Sequence, residues 1–415
     1  MWEKLLDQLL AGLIVSDRLS VGFPDGTVRD YGPDTGEFIR IALADTATVR
    51  KLVLSPELAF GEGYMDGTIT MIDGTLMDLM KLFVRNRNAG RFPAWVNMAN
   101  RARFHIRRFV QKNAPQASRR NVAHHYDISD DLYRLFLDED MQYSCGYFAD
   151  ESMSLEEAQI SKKAHIADKL CIEPGMRILD IGCGWGGMAM TLAKDYGAHV
   201  TGITLSENQL ATARARADAA GLADRVQFEL QDYRHTRGPY DRIVSVGMFE
   251  HVGVPNYGTY FAKVAELLDP DGIALVHTIG RSSTPISHSP WVHKYIFPGG
   301  YVPSLSEIAG PLEKSGLWQA DIEIWRMHYA TTLRAWIERF EDNVETIRFV
   351  HDDRFVRMFR YYLTICVVAF EDQMQAVYHL QLSHNRTAVP ITRDYLYPNK
   401  TSAEKTSKRT KHAAE

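Results

Sequence analysis

Cysteine is scarce in this sequence, and long apolar runs are missing. The 415 residues include four cysteines, Cys145, Cys171, Cys183 and Cys366, which lie far apart with no C-x-x-C spacing. That pattern predicts neither a disulfide framework nor a zinc or other metal site, and it fits a reducing cytoplasm. No apolar run approaches the length that spans a bilayer. The first residues also lack a basic stretch followed by an unbroken apolar one, so we expect no signal peptide.

Acidic residues are absent from one stretch of forty positions, although the chain as a whole has a formal net charge of −5. This asymmetry predicts affinity for an anionic surface, either phospholipid or nucleic acid. Phospholipid is favoured because no nucleic-acid-binding motif accompanies the stretch. The alternative is a solvated linker that pairs with acids on the next domain. The stretch contains eleven basic residues: Lys81, Arg85, Arg87, Arg91, Arg101, Arg103, Arg107, Arg108, Lys112, Arg119 and Arg120.

A glycine-rich turn near the middle of the chain predicts a nucleotide site. The run Met176–Ile181 has the composition of a buried strand, and Met188–Tyr196 has the apolar period of a helix. A strand, a glycine turn and a helix in this order bind nucleotides at the carboxyl edge of an open α/β sheet. Glycines there permit positive φ and close approach of the backbone to a ligand.

Two features favour S-adenosylmethionine (SAM) over a dinucleotide at this turn. Gly182, Gly184 and Gly187 do satisfy the dinucleotide spacing G-x-G-x-x-G. Asp180, however, ends the strand two residues before the first glycine, where a carboxylate can accept hydrogen bonds from an amine or a sugar. The next strand, 199–204, runs into Thr-Leu-Ser and carries no acid at its tip to hold a ribose. We therefore predict a SAM site and keep a nicotinamide dinucleotide site as the alternative.

Strand and helix patterns continue to alternate after this turn, which predicts a doubly wound α/β sheet. The predicted strands 226–230, 240–246 and 273–277 each end in polar or special residues, where such sheets place their ligands. Asp232 follows the first of them as the expected partner of the adenine amine, and Tyr233 is available for stacking.

The flanking segments predict a smaller unit before the sheet and helices after it. Residues 2–15 have the spacing of an amphipathic helix, interpreted as packed on its own domain with a membrane-surface helix as the alternative. Short strand patterns follow, so the first unit is predicted to be α+β. After the sheet we expect a strand over 318–329 and long helices over 332–384.

Several motifs together resemble the cyclopropane-fatty-acyl-phospholipid synthases and the related mycolic acid cyclopropane synthases. The resemblance extends to about Asn385, and Tyr64–Gly67 resembles the N-terminal domain of the phospholipid-acting branch. It implies a Rossmann-like class I SAM methyltransferase domain with helical additions. The implied domains are 1–85 (small, lipid-associated), 86–120 (basic linker), 121–395 (catalytic) and 396–415 (disordered tail). The motifs that carry it are Tyr143–Phe148, Leu179–Gly186, Thr201–Gln209, Val246–Gly253, His277–Gly280 and Ile296–Gly300.

The activity implied by this resemblance is SAM-dependent methylenation of a cis double bond in phospholipid acyl chains. The family holds a bicarbonate ion in its active site, and a homodimer is expected from the same likeness. The matching catalytic positions are Cys145, Glu250, His277, Ile279 and Tyr329. The positions expected to bind SAM are Tyr143, Ser144, Asp180, Gly182, Gly184, Trp185, Gly186, Thr204, Ser206, Gln209, Asp232 and Tyr233.

The chemistry of such a reaction explains this set of residues. An alkene has no polar group that an enzyme could bind or activate, so the enzyme must place it in line with the sulfonium methyl. Transfer creates a carbocation, which aromatic faces stabilise in a dry cavity. Glu250 and His277 either remove the proton directly or orient a bicarbonate that does so, with Ile279 offering its backbone. We expect the cavity walls to come from the C-terminal aromatic helices and from Ser287–Tyr301.

Three alternatives remain open. Family relatives convert the same substrates to methyl-branched, methylene or furan-precursor chains. A nucleotide-dependent oxidoreductase or a non-catalytic lipid-binding protein would belong to different functional classes. In each lipid-related case we expect a cytoplasmic protein that docks on an anionic membrane and has no nucleic-acid partner. We interpret His251, His288 and His293 as structural.

Overall fold

The computed structural model describes residues 1–89, 98, 102, 104–105 and 130–397. Most of the basic stretch, the segment 121–129 and the predicted tail beyond 397 therefore lie outside the described residues. Within the described part of the basic stretch, the Lys81 ammonium lies 2.8 Å from the Glu371 carboxylate, and Arg85 pairs with Asp17 and Glu37. The Lys81 pair reaches an acid of the next domain, as the linker alternative predicts, whereas the Arg85 pairs stay within the small N-terminal unit.

Residues 2–89 form a small α+β unit. Its sheet has the order β2-β1-β3-β4, in which β1 and β3 are parallel and the outer strands are antiparallel to their neighbours. The first helix buries Leu6, Leu9, Leu10 and Leu13 within the protein, which confirms the packed interpretation of this helix. The elements are α1 (Trp2–Leu13), β1 (Arg18–Gly22), β2 (Val28–Tyr31), β3 (Phe38–Leu43), α2 (Thr46–Leu54), α3 (Pro56–Asp66), β4 (Ile69–Asp73) and α4 (Leu76–Ala89).

Strands and helices alternate from residue 130 onward, as predicted. The helix before the first strand starts at a capping box, in which Ser154 and Glu157 satisfy each other's backbone N–H groups. The elements are α5 (Asp130–Phe136), α6 (Leu155–Leu170), β5 (Arg177–Ile181), α7 (Gly187–Tyr196), β6 (His199–Thr204), α8 (Glu207–Ala219), β7 (Val226–Leu230), β8 (Tyr240–Val246), α9 (Tyr257–Leu267) and β9 (Leu268–Arg281).

The C-terminal part adds helices and two further strands. Its elements are α10 (Pro290–Tyr295), α11 (Leu305–Glu313), β10 (Trp318–Trp325), α12 (His328–Asp342), α13 (Val344–Val350), α14 (Asp353–Asp372) and β11 (Gln375–Ser383). Single 3-10 turns occur at Tyr233–His235, Phe249–His251, Val254–Asn256 and Arg393–Leu396.

The second sheet has seven strands in the order β10-β11-β9-β8-β5-β6-β7. Strand β11 is antiparallel to both of its neighbours, and the pairs on the other side of β9 are parallel. The order reverses between β5 and β8, which is where doubly wound sheets bind ligands. The predicted α/β class is confirmed.

Two predictions about the C-terminal part were wrong. Residues 375–383 form a strand rather than the end of a helix, and nearly every residue of this strand is buried. A strand buried on both faces shows no polar alternation, so its sequence resembles a buried helix. The strand predicted over 318–329 ends at Trp325, and Tyr329 belongs to the first turn of α12.

The small unit and the C-terminal helices share one hydrophobic core, which includes Leu9, Val21, Phe60, Trp336 and Phe359. Polar contacts strengthen the same interface, because Lys294 and Tyr295 of α10 both bind Glu62 of α3, at 2.6 and 2.9 Å. Among the described residues, none of the helices combines the length and apolarity needed to cross a bilayer.

Candidate active site

A cavity of about 150 Å³ lies at the carboxyl ends of the central strands. Ten of the twelve residues predicted to bind SAM line it. Gly186 and Ser206 do not, because each begins a helix behind the cavity wall, and the Ser206 hydroxyl caps α8 by accepting the Gln209 N–H. The ten lining residues are Tyr143, Ser144, Asp180, Gly182, Gly184, Trp185, Thr204, Gln209, Asp232 and Tyr233.

The glycine turn has the backbone shape that the sequence predicted. Gly182 has φ +82°, and a Cβ atom at this position would lie 2.8 Å from Cβ of Met248 on the next loop. Gly187 opens α7, and a Cβ there would lie 2.4 Å from both Asp140 and Gln142. Crowding and a positive φ together disfavour a side chain at Gly182, and crowding alone does so at Gly187.

Asp180 places an unpartnered acceptor on the wall of this cavity. Its side chain is buried, and its Oδ2 atom has no hydrogen-bond partner among the described residues. Burial raises the pKa of this carboxyl to about 7. A buried acceptor without a partner costs about 1–3 kcal/mol, so a ligand that brings donors to Asp180 is favoured.

Asp232 is already engaged. The Arg234 guanidinium donates to both of its carboxylate oxygens, at 2.8 and 2.6 Å. An adenine amine at this position would have to share the carboxylate with Arg234. Tyr233 lines the cavity with its ring 5.3 Å from that of Tyr260, edge to face.

A second cavity of about 790 Å³ lies between the small unit and the seven-stranded sheet. It meets the first cavity at four shared lining residues, Tyr143, Ser144, Gly247 and His251. Most of its wall is apolar, with contributions from α1, β1, β3, α4 and α14. Side chains of the segment Ser287–Tyr301 also line it, as do aromatic residues of α14, in agreement with the predicted walls.

Four of the five predicted catalytic residues line this larger cavity: Glu250, His277, Ile279 and Tyr329. Cys145 does not line either cavity. It is fully buried, its Sγ lies 3.3 Å from the Gly146 carbonyl oxygen, and burial raises the pKa of its thiol. The structure therefore assembles four members of the set on one wall and leaves the cysteine in the layer behind it.

Glu250 and His277 are the carboxyl and the imidazole among these four residues, and each bonds to a neighbouring group. The Ile279 N–H donates to Oε1 of Glu250 at 2.6 Å, whereas Oε2 has no partner among the described residues. Burial raises the pKa of Glu250 to about 7. The Ile279 amide is thus committed to Glu250 rather than offered to a ligand, which differs from the expected role of its backbone.

His277 is buried and bonded to a second histidine. Its Nδ1 lies 2.8 Å from Nε2 of His379, which belongs to the strand that the sequence analysis misassigned. Burial, reinforced by the nearby charges of Lys162 and Lys169, holds the pKa of His277 well below its usual range. The imidazole is therefore neutral at neutral pH.

Sequence reasoning missed His251, at the junction of the cavities, and Lys162, which lines neither cavity but bonds to residues that do. His251 was interpreted as structural, yet it lines both cavities, and burial lowers its pKa to about 4. Its position beside Glu250 at a strand end was an available signal. Lys162 is fully buried and donates to the side chains of Gln142 and Ser144 at 2.7 and 2.8 Å, and nothing in the helical pattern of α6 marks it.

The strand order, the glycine turn and the cavity at the switch point define a class I SAM-dependent methyltransferase. A family model described as "Mycolic acid cyclopropane synthetase" matches residues 113–380, and one described as a domain of unknown function (DUF7884) matches residues 5–90. The chain is a member of the mycolic acid cyclopropane synthetase family.

Individual relatives agree with this assignment. The chain is 40% identical to the cyclopropane-fatty-acyl-phospholipid synthase of Escherichia coli, over 89% of this chain and 90% of that one. It is 33% identical to the tuberculostearic acid methyltransferase UfaA1 of Mycobacterium tuberculosis, over 88% and 87%. Among solved structures, the mycolic acid cyclopropane synthase CmaA1 complexed with SAH and CTAB matches with a TM-score of 0.61 and 33% identity, covering 64% of this chain and 97% of that one.

Proposed function

We propose that the protein adds a methylene group from SAM across the cis double bond of unsaturated acyl chains in membrane phospholipids, giving cyclopropane chains. One observation carries this proposal: the small cavity at the glycine turn meets a large, mainly apolar cavity whose lining includes the buried Glu250 carboxyl and the buried His277 imidazole. The activity named for the 40%-identical Escherichia coli relative supports it.

The larger cavity suits an acyl chain. Its volume of about 790 Å³ lies within the range of about 300–1,000 Å³ that is usual for ligand pockets. An alkyl chain offers no hydrogen bonds, so its position must be set by the shape of apolar walls, which then fix the double bond near the junction. Leu10 and Leu13 of α1 and Phe370 of α14 are examples of these wall residues.

The smaller cavity suits SAM, which supplies an electrophilic methyl group when bound. Asp180 provides an unpartnered acceptor for its donors, the glycine turn allows close approach of backbone, and Thr204 and Gln209 add polar groups from the next strand and helix. The relative crystallised with SAH supports this assignment. We propose all twelve predicted positions as the SAM site, with Gly186 and Ser206 acting through the shape of the turn.

Attack by the double bond on the sulfonium methyl would leave a positive charge on the acyl chain. Aromatic side chains face the cavity where that charge would form, and they include Tyr143, Tyr329 and Phe370. Their faces stabilise a cation by about 0.5–2 kcal/mol each, and more when water is excluded. Tyr143 is fixed for this role by stacking on Trp336 at 5.2 Å and by a hydroxyl contact of 2.8 Å with Tyr362.

Loss of a proton from the new methyl group would close the ring. Glu250 and His277 would either accept this proton or orient the group that does. The residues present fit a bicarbonate ion, because the unpartnered Oε2 of Glu250 can accept a hydrogen bond from its hydroxyl group. Bound there, bicarbonate would supply a proton acceptor. His277 and Tyr329 line the same wall, whereas Cys145 would act from behind through Ser144.

Access to lipid requires the protein to dock on a bilayer. We propose the domain division 1–85, 86–120 and 121–395 given above, and a homodimer as the active protein. The linker 86–120, which contains most of the basic stretch, binds an anionic membrane from the cytoplasm. The leucine face of α1 is already buried, which favours the basic stretch over α1 as the docking element. Binding to anionic vesicles should weaken steeply with salt, and salt-insensitive binding would contradict the electrostatic part.

A methyl-branched product is the second candidate. The 33%-identical tuberculostearic acid methyltransferase UfaA1 covers as much of the chain as the cyclopropane synthase does. The two reactions would share the methyl transfer. A cation that loses a proton to form an olefin gives a methylene-branched chain, which a separate reductant would then have to saturate to the methyl branch.

Product analysis separates the candidates. The protein is incubated with SAM and vesicles of monounsaturated anionic phospholipid, and the acyl chains are examined by mass spectrometry and proton NMR. A gain of one CH2, loss of the vinyl signal and new high-field ring protons are expected. The same mass gain with a surviving olefin would assign the methylene-type reaction instead, and the absence of SAM turnover on every unsaturated lipid would overturn the proposed function.

A further inference from the structure

Three neighbouring strands line up three ionisable side chains behind the larger cavity. His277 on β9 is paired in register with His379 on β11, and His379 is paired in register with Glu323 on β10. Residues directly opposite one another in a sheet project their side chains to the same face. The row therefore runs from the cavity wall at His277 to the edge strand of the sheet, where 14% of the Glu323 side chain is exposed.

One contact along this row is a hydrogen bond and the other is a longer approach. Nδ1 of His277 lies 2.8 Å from Nε2 of His379, and both rings are buried. The other nitrogen of His379, Nδ1, has no hydrogen-bond partner among the described residues and lies 4.0 Å from Oε2 of Glu323. Trp325 packs on His379 with ring centroids 4.0 Å apart, which separates the row from water on that side.

Glu323 is ionised and held in place by helix α6. His165 and Lys169 contact its Oε2 at 2.8 and 2.6 Å. Burial alone would raise the pKa of Glu323, but these contacts outweigh it and bring the pKa to about 2. His165, Glu323 and His379 are close enough together to hold a metal ion, but the Lys169 ammonium already supplies the positive charge that an ion would bring. An electrostatic role for Glu323 is therefore the better explanation.

The charge on Glu323 selects one tautomer for each histidine. A carboxylate facing Nδ1 of His379 favours a proton on that nitrogen, so Nε2 of the same ring must accept a hydrogen bond. Nδ1 of His277 is then the donor, and Nε2 of His277 carries no proton. In the opposite arrangement a bare Nδ1 of His379 would face the carboxylate, which is unfavourable.

We propose that Glu323 and His379 are positioning residues that keep Nε2 of His277 unprotonated and so make it a proton acceptor on the cavity wall. That role in turnover rests on the proposed function, whereas the tautomer itself does not. When Nε2 of His277 takes a proton, its Nδ1 proton passes to Nε2 of His379, and the positive charge comes to lie beside Glu323. The positive charge thus rests at His379 rather than in the apolar cavity. The same steps in reverse return the proton to Nε2 of His277 and from there to water that enters the cavity when the product leaves, which restores the starting tautomers.

The test is the protonation state of His277, measured directly. Histidine is labelled with 15N, and the His277 signals are assigned by comparison with a His277→Asn sample. In the unmodified protein we expect the shift of a bare imidazole nitrogen at Nε2 and of a protonated one at Nδ1. In Glu323→Gln we expect the two nitrogens to average towards each other. kcat should fall by at least about tenfold while KM for lipid stays within about twofold, because orientation rather than substrate binding is lost.

Asp321→Asn is the matched control. Asp321 is on the same strand and contacts the same Lys169 at 3.3 Å, but it pairs with Arg393 rather than facing His379. Its removal should leave the His277 signals unchanged. Charges near the row that both variants retain are Lys162, Lys169 and His165, so a difference between the variants reports on Glu323 alone.

Three results would overturn the proposal: unchanged His277 signals in Glu323→Gln, equal changes in both variants, or stoichiometric zinc bound by the purified protein at His165, Glu323 and His379. If Glu323→Gln does not bind SAM and so is not folded, His379→Gln takes its place with the same expectation. An unmodified protein that shows the expected tautomer but makes no lipid product would refute the proposed function and leave the relay intact.

Discussion

The two cavities meet at four residues but are built in different ways. The smaller cavity is lined mainly by loops that follow successive strands of one sheet, so its shape depends on a single rigid element. The larger cavity takes its walls from α1, from the Ser287–Tyr301 segment and from α14, which are far apart in the chain. The difference indicates that SAM binding should survive changes that abolish lipid binding. Lipid binding, in contrast, should depend on how the small unit packs against the C-terminal helices.

The largest effect is expected from Glu250→Gln, which alters the larger cavity without touching the smaller one. The amide keeps the shape and can still accept the Ile279 N–H, but it loses the charge and the acceptor at Oε2. General acid–base catalysis by a side chain typically raises a rate about 10²–10⁴-fold, so kcat should fall by that factor. Calorimetry should show an unchanged Kd for SAM. Normal turnover would exclude Glu250 from the chemistry.

A weaker effect, on SAM binding rather than on turnover, is expected from Gly182→Ala, which alters the smaller cavity. The new methyl group would require positive φ and would meet Met248 at 2.8 Å. Strain of about 1–3 kcal/mol corresponds to a roughly 5- to 150-fold rise in the Kd for SAM, measured by calorimetry. Gly175→Ala is the control, because Gly175 has φ +87° and open space around it, outside both cavities. Equal losses in the two variants would trace the effect to general instability.

A moderate effect on lipid alone is expected from Leu10→Phe. Leu10 is buried on α1 and lines the larger cavity, so the bulkier ring narrows it. We expect KM for long acyl chains to rise about tenfold, because a narrowed apolar pocket binds a long chain less tightly. Leu5→Phe is the control, since Leu5 lies on the same helix and is 41% exposed. Equal KM values for the two variants would show that the acyl chain does not reach α1.

A further effect concerns the pH dependence of stability rather than turnover or binding. Burial raises the pKa of Asp180 and of Glu250 to about 7, above the values of about 4 expected in the unfolded chain. Both groups therefore contribute stability that is fully present below about pH 4 and is lost as pH rises towards 7. The free energy of unfolding, measured in urea, should fall over this window. Asp180→Asn should remove the contribution of Asp180 to this pH dependence, so the free energy of unfolding should fall less steeply with pH. An unchanged pH dependence would contradict the raised pKa of Asp180.

SAM binding should show the opposite dependence on pH, because its donors favour the ionised form of Asp180. The Kd should decrease by a few-fold between pH 6 and pH 8. Calorimetry in buffers of different ionisation enthalpy should detect proton release at pH 6 that Asp180→Asn abolishes.

The smaller cavity was largely predictable from the sequence because its determinants are local. A strand, a glycine turn and a helix occupy consecutive residues, and the strand ends at Thr204 and Leu230 were predicted at their observed positions. The engagement of Asp232 by Arg234 was not predicted, since two residues of spacing do not reveal a side-chain rotamer.

The larger cavity was predictable only in part because tertiary packing creates it. Aromatic residues of α14 were expected as walls, but the contribution of α1 depends on contacts between residues more than three hundred positions apart, which no local pattern encodes. His379 was missed for a related reason. Its strand is buried on both faces, so its sequence lacks the alternation that marks a strand, and the histidine resembled part of an apolar helix.

Strand β11 also has a consequence for how the protein is made. It inserts between β9 and β10 although it follows both in the chain. Until its residues emerge from the ribosome, the nascent sheet exposes the backbone hydrogen-bonding groups on one edge of β9, over Ile273–Arg281. Such open edges recruit other chains. A protein interrupted before Gln375 should therefore aggregate rather than accumulate as a soluble, inactive fragment, and rare codons just upstream of this strand should lower the yield of active enzyme.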